Sequence, residues 1–287
     1  MQEKIFIIDP ENDPQTFQDY LTDREKAQST IKKYMTDIRT FLNFLDGNYE
    51  ISKQRILEYK EWIQKSYALS SANSMLASLN QFLIFFGISH MKVQQLKIQK
   101  PLMLNENRNL TREEFELLRD TACREGKSDL VMIMETIVST GIRISELQFF
   151  TVEAVRKGRA EIHNKGKYRT VLIPQALRKK LLYYTKKHQI EKGSIFVTRT
   201  GKPLNRSNIW TRMKKLCKSA GVLAEKVFPH NLRHLFAKSY YQLTRDISGL
   251  ADILGHSSIE VTRIYTADTE AHYQRQLDRL DFIQGDY

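Results

Sequence analysis

The chain has 287 residues, and its 45 Lys and Arg residues exceed its 33 Asp and Glu residues, giving a net charge of +12. Hydrophobic residues make up 41% of it and aromatic residues 10%, which excludes wholesale disorder because apolar burial can offset chain entropy. The most apolar run, residues 82–88, is too short to cross a bilayer, and the first residues lack the pattern of a signal peptide. The two cysteines, Cys123 and Cys217, suit a reducing compartment, so we expect a cytoplasmic protein.

The first hundred residues have the apolar spacing of amphipathic helices. Residues 17–21 predict a short helix. Ser29, Ser52 and Ser71 are each predicted to cap a further helix, because apolar residues follow each of them near a 3.6-residue period. We therefore expect residues 1–101 to form a small helical bundle as an N-terminal domain.

A linker and a second domain are predicted after this bundle. The helical periodicity is lost before residues 102–110, which we interpret as the linker. Thr111 then begins a capping box, since its hydroxyl can accept from the main chain of Glu114, whose carboxylate can reach back. Helices are predicted to about Phe150, and we expect the second domain to span residues 111–287.

A β-hairpin interrupts the helices of the second domain. Residues 159–163 and 168–173 are rich in β-forming residues and flank a glycine-containing turn at residues 164–167. A short strand is predicted at residues 195–197, and a tail helix over about residues 267–287. The expected fold is therefore mainly α with a small β-sheet.

The positive charge is concentrated in the second part of the chain. Residues 1–100 carry 13 basic and 12 acidic residues, whereas residues 156–218 carry 19 basic and two acidic ones. A solvated face is the ordinary explanation of a charge run, but an excess of this size favours a polyanionic partner. Double-stranded DNA fits through counterion release. A membrane surface fits less well, because no single long amphipathic helix is present.

Two other motifs do not support a function. Gly126-Lys127-Ser128 resembles the end of a phosphate-binding loop, but Thr121 stands where the leading glycine is required. His230 and His234 are four residues apart, yet Asn231 replaces the glutamate of a zinc-protease helix. No acidic cluster for a two-metal nuclease is evident either. We therefore expect neither a metal nor another cofactor.

A set of reactive side chains occurs in order along the second domain. It lies within the blocks GIRISEL, HNLRH and LGHSSIEVTRIYT and in the hairpin turn. Each of these residues alone is more often a surface or core residue. Together they resemble the tyrosine recombinase family, the phage-integrase and Xer-like site-specific DNA recombinases. The residues concerned are Arg143, Glu146, Lys165, His230, Arg233, His234, His256 and Tyr265.

The resemblance implies how a scissile phosphate is held. Arg143 and Arg233 would bind its non-bridging oxygens, because guanidinium groups match phosphate in a forked geometry. His256 would donate a hydrogen bond to the phosphate. Glu146 would orient these groups without contacting DNA. His234 is more simply explained as a packing residue beside them.

The resemblance also implies the reaction. Tyr265 would attack the phosphate and form a 3′-phosphotyrosine, which conserves the energy of the phosphodiester for rejoining. His230 would manage the phenolic proton, and Lys165 would protonate the departing 5′-hydroxyl. Neither ATP nor metal is then needed.

The family fold implies a two-domain C-shaped clamp around a specific recombination site, with tetramer formation at synapsis. The tail helix would either dock on a neighbouring protomer or pack on its own chain. We assign DNA contacts to the basic residues Lys32, Lys33, Lys167, Arg169, Arg199, Lys202, Arg206 and Arg212. Integration or excision of a mobile element and Xer-like resolution would use the same chemistry. The alternatives are a non-catalytic DNA-binding regulator that retains the fold and a type IB topoisomerase-like activity.

Overall fold

The computed structural model describes residues 6–97, 109–164, 167–198, 200–202, 204–256, 258–262, 265 and 278–279. The chain divides into two compact units, Met1–Lys100 and Pro101–Tyr287, which we call unit 1 and unit 2. Most of the predicted linker, residues 102–108, and most of the predicted tail helix lie outside the described residues. Within the described part of the chain, no helix combines the length and the apolar character needed to cross a membrane.

Unit 1 is a helical bundle with one short antiparallel strand pair. Its elements are β1 Phe6–Ile7, α1 Asp13–Asp23, α2 Gln28–Leu45, β2 Glu50–Ile51, α3 Lys53–Ser66 and α4 Leu69–Phe85. The apolar stripes of the helices face one core, where Phe17, Phe41 and Phe82 are fully buried. The predicted helical bundle is therefore present.

Of the three N-cap residues predicted in unit 1, one is confirmed. Ser52 caps α3 and accepts a hydrogen bond from the Arg55 main chain at 3.2 Å, as predicted. The predicted caps at Ser29 and Ser71 are wrong, because α2 and α4 begin before these residues. Ala27 and Ala68 hold the N-cap positions with extended ψ and no side-chain hydrogen bond.

Unit 2 is mainly helical and contains one β-hairpin, which confirms the expected fold class. Its elements are α5 Arg112–Arg124, α6 Ser128–Thr140, α7 Val152–Lys157, β3 Arg159–Asn164, β4 Lys167–Leu172, α8 Gln175–Lys187, α9 Arg206–Ala220, α10 Pro229–Thr244, α11 Ile247–Leu254 and α12 Ile259–Thr262. The predicted capping box of Thr111 and Glu114 is confirmed at the start of α5. The segment Ile144–Phe149 forms a 3-10 helix.

The predicted hairpin is confirmed, and the predicted strand at residues 195–197 is wrong. In the hairpin, β3 pairs antiparallel with β4, and Ile162 lies opposite Arg169. Directly before residues 195–197, an isolated β-bridge joins Thr151 to Ser194. The next residue, Ile195, is buried and donates its main-chain N–H to the Phe150 carbonyl at 3.0 Å. Among the described residues of this segment, Ser194 and Val197 take part in isolated bridges, and no continuous strand forms.

Helix α6 lies in the middle of unit 2. It is apolar around most of its circumference, and its residues 130–137 are buried, which is typical of a helix covered on all sides. It packs against α10 and α5. The segment that follows the C-terminal end of α6 therefore starts in the interior of unit 2.

Candidate active site

The first part of the candidate site is the turn after α6. Gly141 ends this helix in the left-handed conformation with a φ of +65°. A Cβ at Gly141 would lie 2.4 Å from Cδ1 of Phe236 and 2.9 Å from Cδ2 of Leu254. Glycine is thus required both by the backbone and by the close approach of two side chains. The turn places Arg143 at the start of the 3-10 helix.

Glu146 holds two arginines from inside the protein. Its side chain accepts hydrogen bonds from the Arg143 main chain at 2.7 Å, from Arg143 Nη1 at 3.1 Å and from Arg169 Nη2 at 2.6 Å. Glu146 is 1% exposed, whereas the Arg143 side chain is 41% exposed. The buried carboxylate therefore fixes a guanidinium that still faces outward.

Arg233 lies on α10 and is buried, with 1% of its surface exposed. Nη1 donates to the Gly141 carbonyl at 2.7 Å, and Nη2 donates to the Leu254 carbonyl at 2.8 Å. Burial and the nearby charge of Arg143 lower the pKa of Arg233 to about 10. Arg233 is still a cation near neutral pH, and two main-chain carbonyls fix its orientation.

His256 follows α11 and contacts Arg233. Its Nε2 lies 2.9 Å from Arg233 Nη2, and its Nδ1 lies 2.9 Å from Thr262 Oγ1. Because arginine only donates, Nε2 must accept, and the proton lies on Nδ1, which donates to Thr262. Burial and then the charge of Arg233 lower the pKa of His256 to about 4. The expected hydrogen-bond donor to phosphate is thus an acceptor from Arg233 in this structure.

Tyr265 packs among histidines. It is 6% exposed, and its ring centroid lies 4.6 Å from that of His234 and 5.9 Å from that of His256. The His234 ring is also 4.6 Å from that of His230. Burial lowers the pKa of both His230 and His234, in the latter to about 4. The three histidines of the site are therefore neutral imidazoles near neutral pH.

A cavity of about 160 Å³ opens beside these groups, and we call it the arginine pocket. Its polar lining comes from Arg143, Ser145, Arg206, His230 and Arg233. Three guanidinium groups and an imidazole around one cavity form a site for an anion with several acceptor oxygens, such as a phosphodiester.

Two comparisons with known families decide the identity of the chain. Residues 108–272 match the family described as "Phage integrase family", and residues 15–87 match "Phage integrase, N-terminal SAM-like domain". The first match covers more than half of the chain. The chain belongs to the phage integrase family. It is thus a tyrosine recombinase, an enzyme that breaks and rejoins DNA, as its sequence motifs predict.

Related proteins point to the Xer branch. The chain is 28% identical over 280 residues to the tyrosine recombinase XerA of Pyrococcus furiosus, with 94% of each chain covered. It is 26% identical over 280 residues to XerD of Listeria monocytogenes, covering 87% of this chain and 91% of that one. These similarities support Xer-like site-specific recombination for this phage integrase family member.

Solved structures share its fold. The XerH recombinase bound to its difH substrate matches with a TM-score of 0.70 and 19% identity over 92% of this chain and 83% of that one. A lambda integrase dimer bound to a core site matches with a TM-score of 0.73 and 18% identity over 98% and 81%.

The predicted DNA contacts of this recombinase have different surroundings. Arg206 lines the arginine pocket, and Lys32 and Lys202 are exposed. Arg212 pairs with Asp129 at 2.7 Å, and Lys33 pairs with Asp37. Outside the described residues lie Lys165, Arg199 and the side chain of Lys167.

Arg169, one of the predicted DNA contacts, has its partners inside the protein. Its side chain is 14% exposed, and its guanidinium donates to Glu146 and to the Ile253 carbonyl. A cation with both of its terminal nitrogens engaged inside the protein is not a free surface charge. The count of basic residues between 156 and 218 could not reveal these partners, because both lie far away in the sequence.

Two features of the recombinase site are not evident from the sequence motifs. Thr262 is fully buried and forms a hydrogen bond with Nδ1 of His256, a contact that the motif containing both residues does not reveal. Trp210 is 42% exposed in a groove next to the arginine pocket, with Lys214 Nζ 4.5 Å from its ring centroid. Among the described residues, no group of three or more His, Cys, Asp and Glu side chains could hold a metal ion.

Proposed function

We propose that this recombinase cleaves DNA by forming a 3′-phosphotyrosine at Tyr265. The observation that carries the proposal is the arginine pocket, in which Arg143, His230 and Arg233 face one cavity. The Tyr265 ring packs against His234, whose own ring contacts His230. A nucleophile, a neutral imidazole and two phosphate-binding cations thus lie within one cluster of contacts.

Each group has a distinct role in the proposed step. The Tyr265 oxygen bonds to phosphorus while the bond from phosphorus to the 5′-oxygen breaks. Neutral His230 takes the phenolic proton, and Lys165 gives a proton to the 5′-oxygen. Arg143 and Arg233 stabilise the charge that gathers on the non-bridging oxygens.

The remaining side chains hold these groups in place. Glu146 orients Arg143 through its two hydrogen bonds. His234 supports Tyr265 through ring contact. The Thr262 hydroxyl suits either tautomer of His256, because it can accept from Nδ1 or donate to it. His256 can thus accept from Arg233 in the free protein and donate from Nε2 to a bound phosphate.

The proposed substrate is double-stranded DNA with a specific recombination site, and the proposed active assembly is a tetramer. The excess of basic residues over positions 156–218 supports duplex binding. Solved structures of the same fold include XerH bound to difH and a lambda integrase tetramer bound to a Holliday junction. These assemblies are properties of those proteins, and they support a corresponding arrangement here.

For the biological role, we propose resolution of replicated DNA in the manner of the Xer relatives, which match almost the full length of the chain. Integration and excision of a mobile element is the second candidate, favoured by the structural similarity to the Tn1549 transposon integrase. A plasmid carrying two directly repeated sites distinguishes them. Resolution that needs only this protein and the repeats supports the first role, and a requirement for the ends of an element supports the second.

The test of the proposed chemistry is capture of a covalent protein–DNA adduct. A site that the protein binds is first selected from random duplexes. A nick is then placed beside the cleavage point, so that the short fragment carrying the 5′-hydroxyl dissociates and the adduct accumulates. Wild-type protein is expected to accumulate an adduct, and Tyr265→Phe to form none. The matched control is Tyr241→Phe, a nearby phenol on α10 that retains its ring.

The outcomes separate the alternatives. An adduct that persists in Tyr265→Phe would refute the assignment of the nucleophile. Salt-sensitive DNA binding without any adduct would identify a regulator that retains the fold. Relaxation of supercoiled plasmid that needs no particular site would identify a topoisomerase-like activity.

A further inference from the structure

Arg169 is an unusual residue on the hairpin. The cross-strand pairs Ala160–Val171 and Ile162–Arg169 lie on one face of β3 and β4. Ala160, Ile162 and Val171 are buried apolar residues of the core of unit 2. Arg169 is thus a cation next to apolar, inward-facing residues, with one cross-strand pair between it and the Asn164–Lys167 pair at the turn. Burial of a charge is costly unless specific partners compensate for it.

Arg169 has partners in two separate segments of the candidate site. Its Nη2 donates to Glu146 at 2.6 Å, the carboxylate that also holds Arg143. Its Nη1 donates to the carbonyl of Ile253, three residues before His256. One side chain of the hairpin therefore connects directly to the segments that carry a phosphate-binding arginine and a histidine of the site.

Gly255 allows Arg169 to pack closely against the turn before His256. It has a φ of +64°, and a Cβ at this position would lie 2.5 Å from Cδ of Arg169 and 2.9 Å from its Nε. The stem of Arg169 thus packs directly against the main chain of the turn before His256. Any side chain at residue 255 would displace either this turn or Arg169.

We propose that Arg169 is a positioning residue that docks the β3–β4 hairpin onto the Arg143–Glu146 segment and the Ile253–His256 turn. The inference rests on the proposed function, in which Lys165, four residues before Arg169, protonates the leaving group. A hairpin without this anchor keeps its apolar contacts to the core but loses its fixed placement beside the phosphate-binding groups. Proton delivery to the 5′-oxygen then becomes inefficient, whereas attack by Tyr265 is less affected.

The chemistry of the leaving group allows this role to be measured. When the bond between phosphorus and the 5′-oxygen breaks, the alkoxide must take up a proton. When sulfur replaces that bridging oxygen, the leaving thiolate is stable without a proton, because a thiol has a pKa of about 8.5. A defect in proton delivery therefore slows cleavage of the oxygen substrate and leaves the sulfur substrate nearly unaffected.

The experiment compares adduct formation in a single turnover on two nicked duplexes that differ only in this bridging atom. Arg169→Met is expected to lose about 100-fold on the oxygen substrate and less than about tenfold on the sulfur substrate. Arg169→Lys retains the charge but has a single nitrogen for two acceptors, so we expect an intermediate loss with the same rescue by sulfur. Thermal melting of each variant establishes that it is folded.

Arg178→Met is the matched control. Arg178 also donates to two main-chain carbonyls, those of Val155 and Arg156, but holds α8 to the end of α7. We expect its ratio of sulfur to oxygen rates to equal that of the wild type. An equal loss on both substrates in Arg169→Met, or no loss on either, would overturn the proposal. If Arg169→Met does not fold, the same ratio in Arg169→Lys decides.

The two proposals fail in different ways. Absence of an adduct on both substrates in the wild type would refute the phosphotyrosine mechanism. A wild-type adduct together with an unchanged sulfur-to-oxygen ratio in the Arg169 variants would refute only the role of Arg169.

Discussion

The two units bury different kinds of side chains. In unit 1 the largest fully buried side chains include Phe17, Phe82 and Tyr59, and the aromatic rings of Phe17 and Phe82 meet edge to face at 5.2 Å. In unit 2 the largest fully buried side chain is Arg233, and Glu146 is equally inaccessible. Both units have an apolar core. The first also buries Asp37, which pairs with Lys33 of its own helix, whereas the second buries Arg233 and Glu146, which belong to the candidate site.

The buried charges of unit 2 are explained by the reaction and not by stability. A buried ion or ion pair is rarely the most stable use of interior volume, since desolvation offsets much of the attraction. Charges are nevertheless retained where a reaction needs oriented cations with altered pKa values. Substitutions that displace these buried charges of unit 2 should therefore change cleavage and stability together, whereas substitutions of buried residues in unit 1 should change stability alone.

The largest effect is expected from Gly141→Ala in unit 2. The new Cβ would overlap Phe236, and alanine would be held at a positive φ. We expect the free energy of unfolding to fall by about 3 kcal/mol, from backbone strain and overpacking together. Adduct formation should also fall, because the Gly141 carbonyl accepts from Arg233. Chemical denaturation and the nicked-substrate assay measure the two effects.

Gly221→Ala is the matched control for this prediction. Gly221 also ends a helix at a positive φ, of +68°, but its missing Cβ would meet nothing within 4 Å. We expect a loss of about 1 kcal/mol in the free energy of unfolding and an unchanged rate of adduct formation. Equal effects of the two substitutions on cleavage would show that the turn at Gly141 does not position Arg233.

A smaller effect is expected from Asp37→Asn in unit 1. Asp37 is 5% exposed, accepts from Ser78 Oγ at 2.7 Å and pairs with Lys33. Loss of its charge should lower the free energy of unfolding by about 2 kcal/mol, because a charged hydrogen bond to a buried group is lost. Adduct formation at saturating DNA should be unchanged. Denaturant titration and the nicked-substrate assay measure these quantities.

The exposed Asp19 provides the control for Asp37. It accepts from Gln15 on the surface of α1, so Asp19→Asn should leave the free energy of unfolding nearly unchanged. A slower cleavage step in Asp37→Asn at saturating DNA would contradict the contrast between the units. It would mean that the buried carboxylate of unit 1 also serves the reaction.

Local signals in the sequence predict much of this architecture. The Ser52 cap and the Thr111–Glu114 capping box depend on residues three apart, so the sequence contains the whole interaction. The helices at Ser29 and Ser71 begin at Gln28 and Leu69, with an alanine at each N-cap, so both serines lie inside the first turn and the hydroxyl alone does not determine the start.

The same distinction applies to the candidate site. The sequence motifs name Arg143, His230 and Arg233, and these residues line one pocket. The partners of Arg169 lie 23 and 84 residues away, so the local density of basic residues predicts a DNA contact there but not these partners. Residues that react have recognisable neighbours in the sequence, whereas the residues that hold them in place depend on contacts between distant segments.

The smallest effect concerns acid stability, which should depend on the histidines of unit 2. Burial lowers the pKa of His234 and of His256 from 6.5 to about 4. Between these two values the unfolded chain binds more protons than the folded one, so stability falls as the pH falls through this window. From about pH 7.5 to about pH 5.5 His234 should cost about 1 kcal/mol in the free energy of unfolding, and the more exposed His256 should cost less.

His234→Phe isolates this contribution, because phenylalanine retains an aromatic ring beside Tyr265 but does not titrate. Denaturant titrations at the two pH values should show a smaller acid-induced loss in His234→Phe than in the wild type. His188→Phe serves as the control, since His188 is exposed and its ring contacts Tyr184 outside the site. An equal acid-induced loss in all three proteins would show that His234 is not held as a neutral imidazole. The acid sensitivity would then have to come from groups other than the buried histidine that contacts Tyr265.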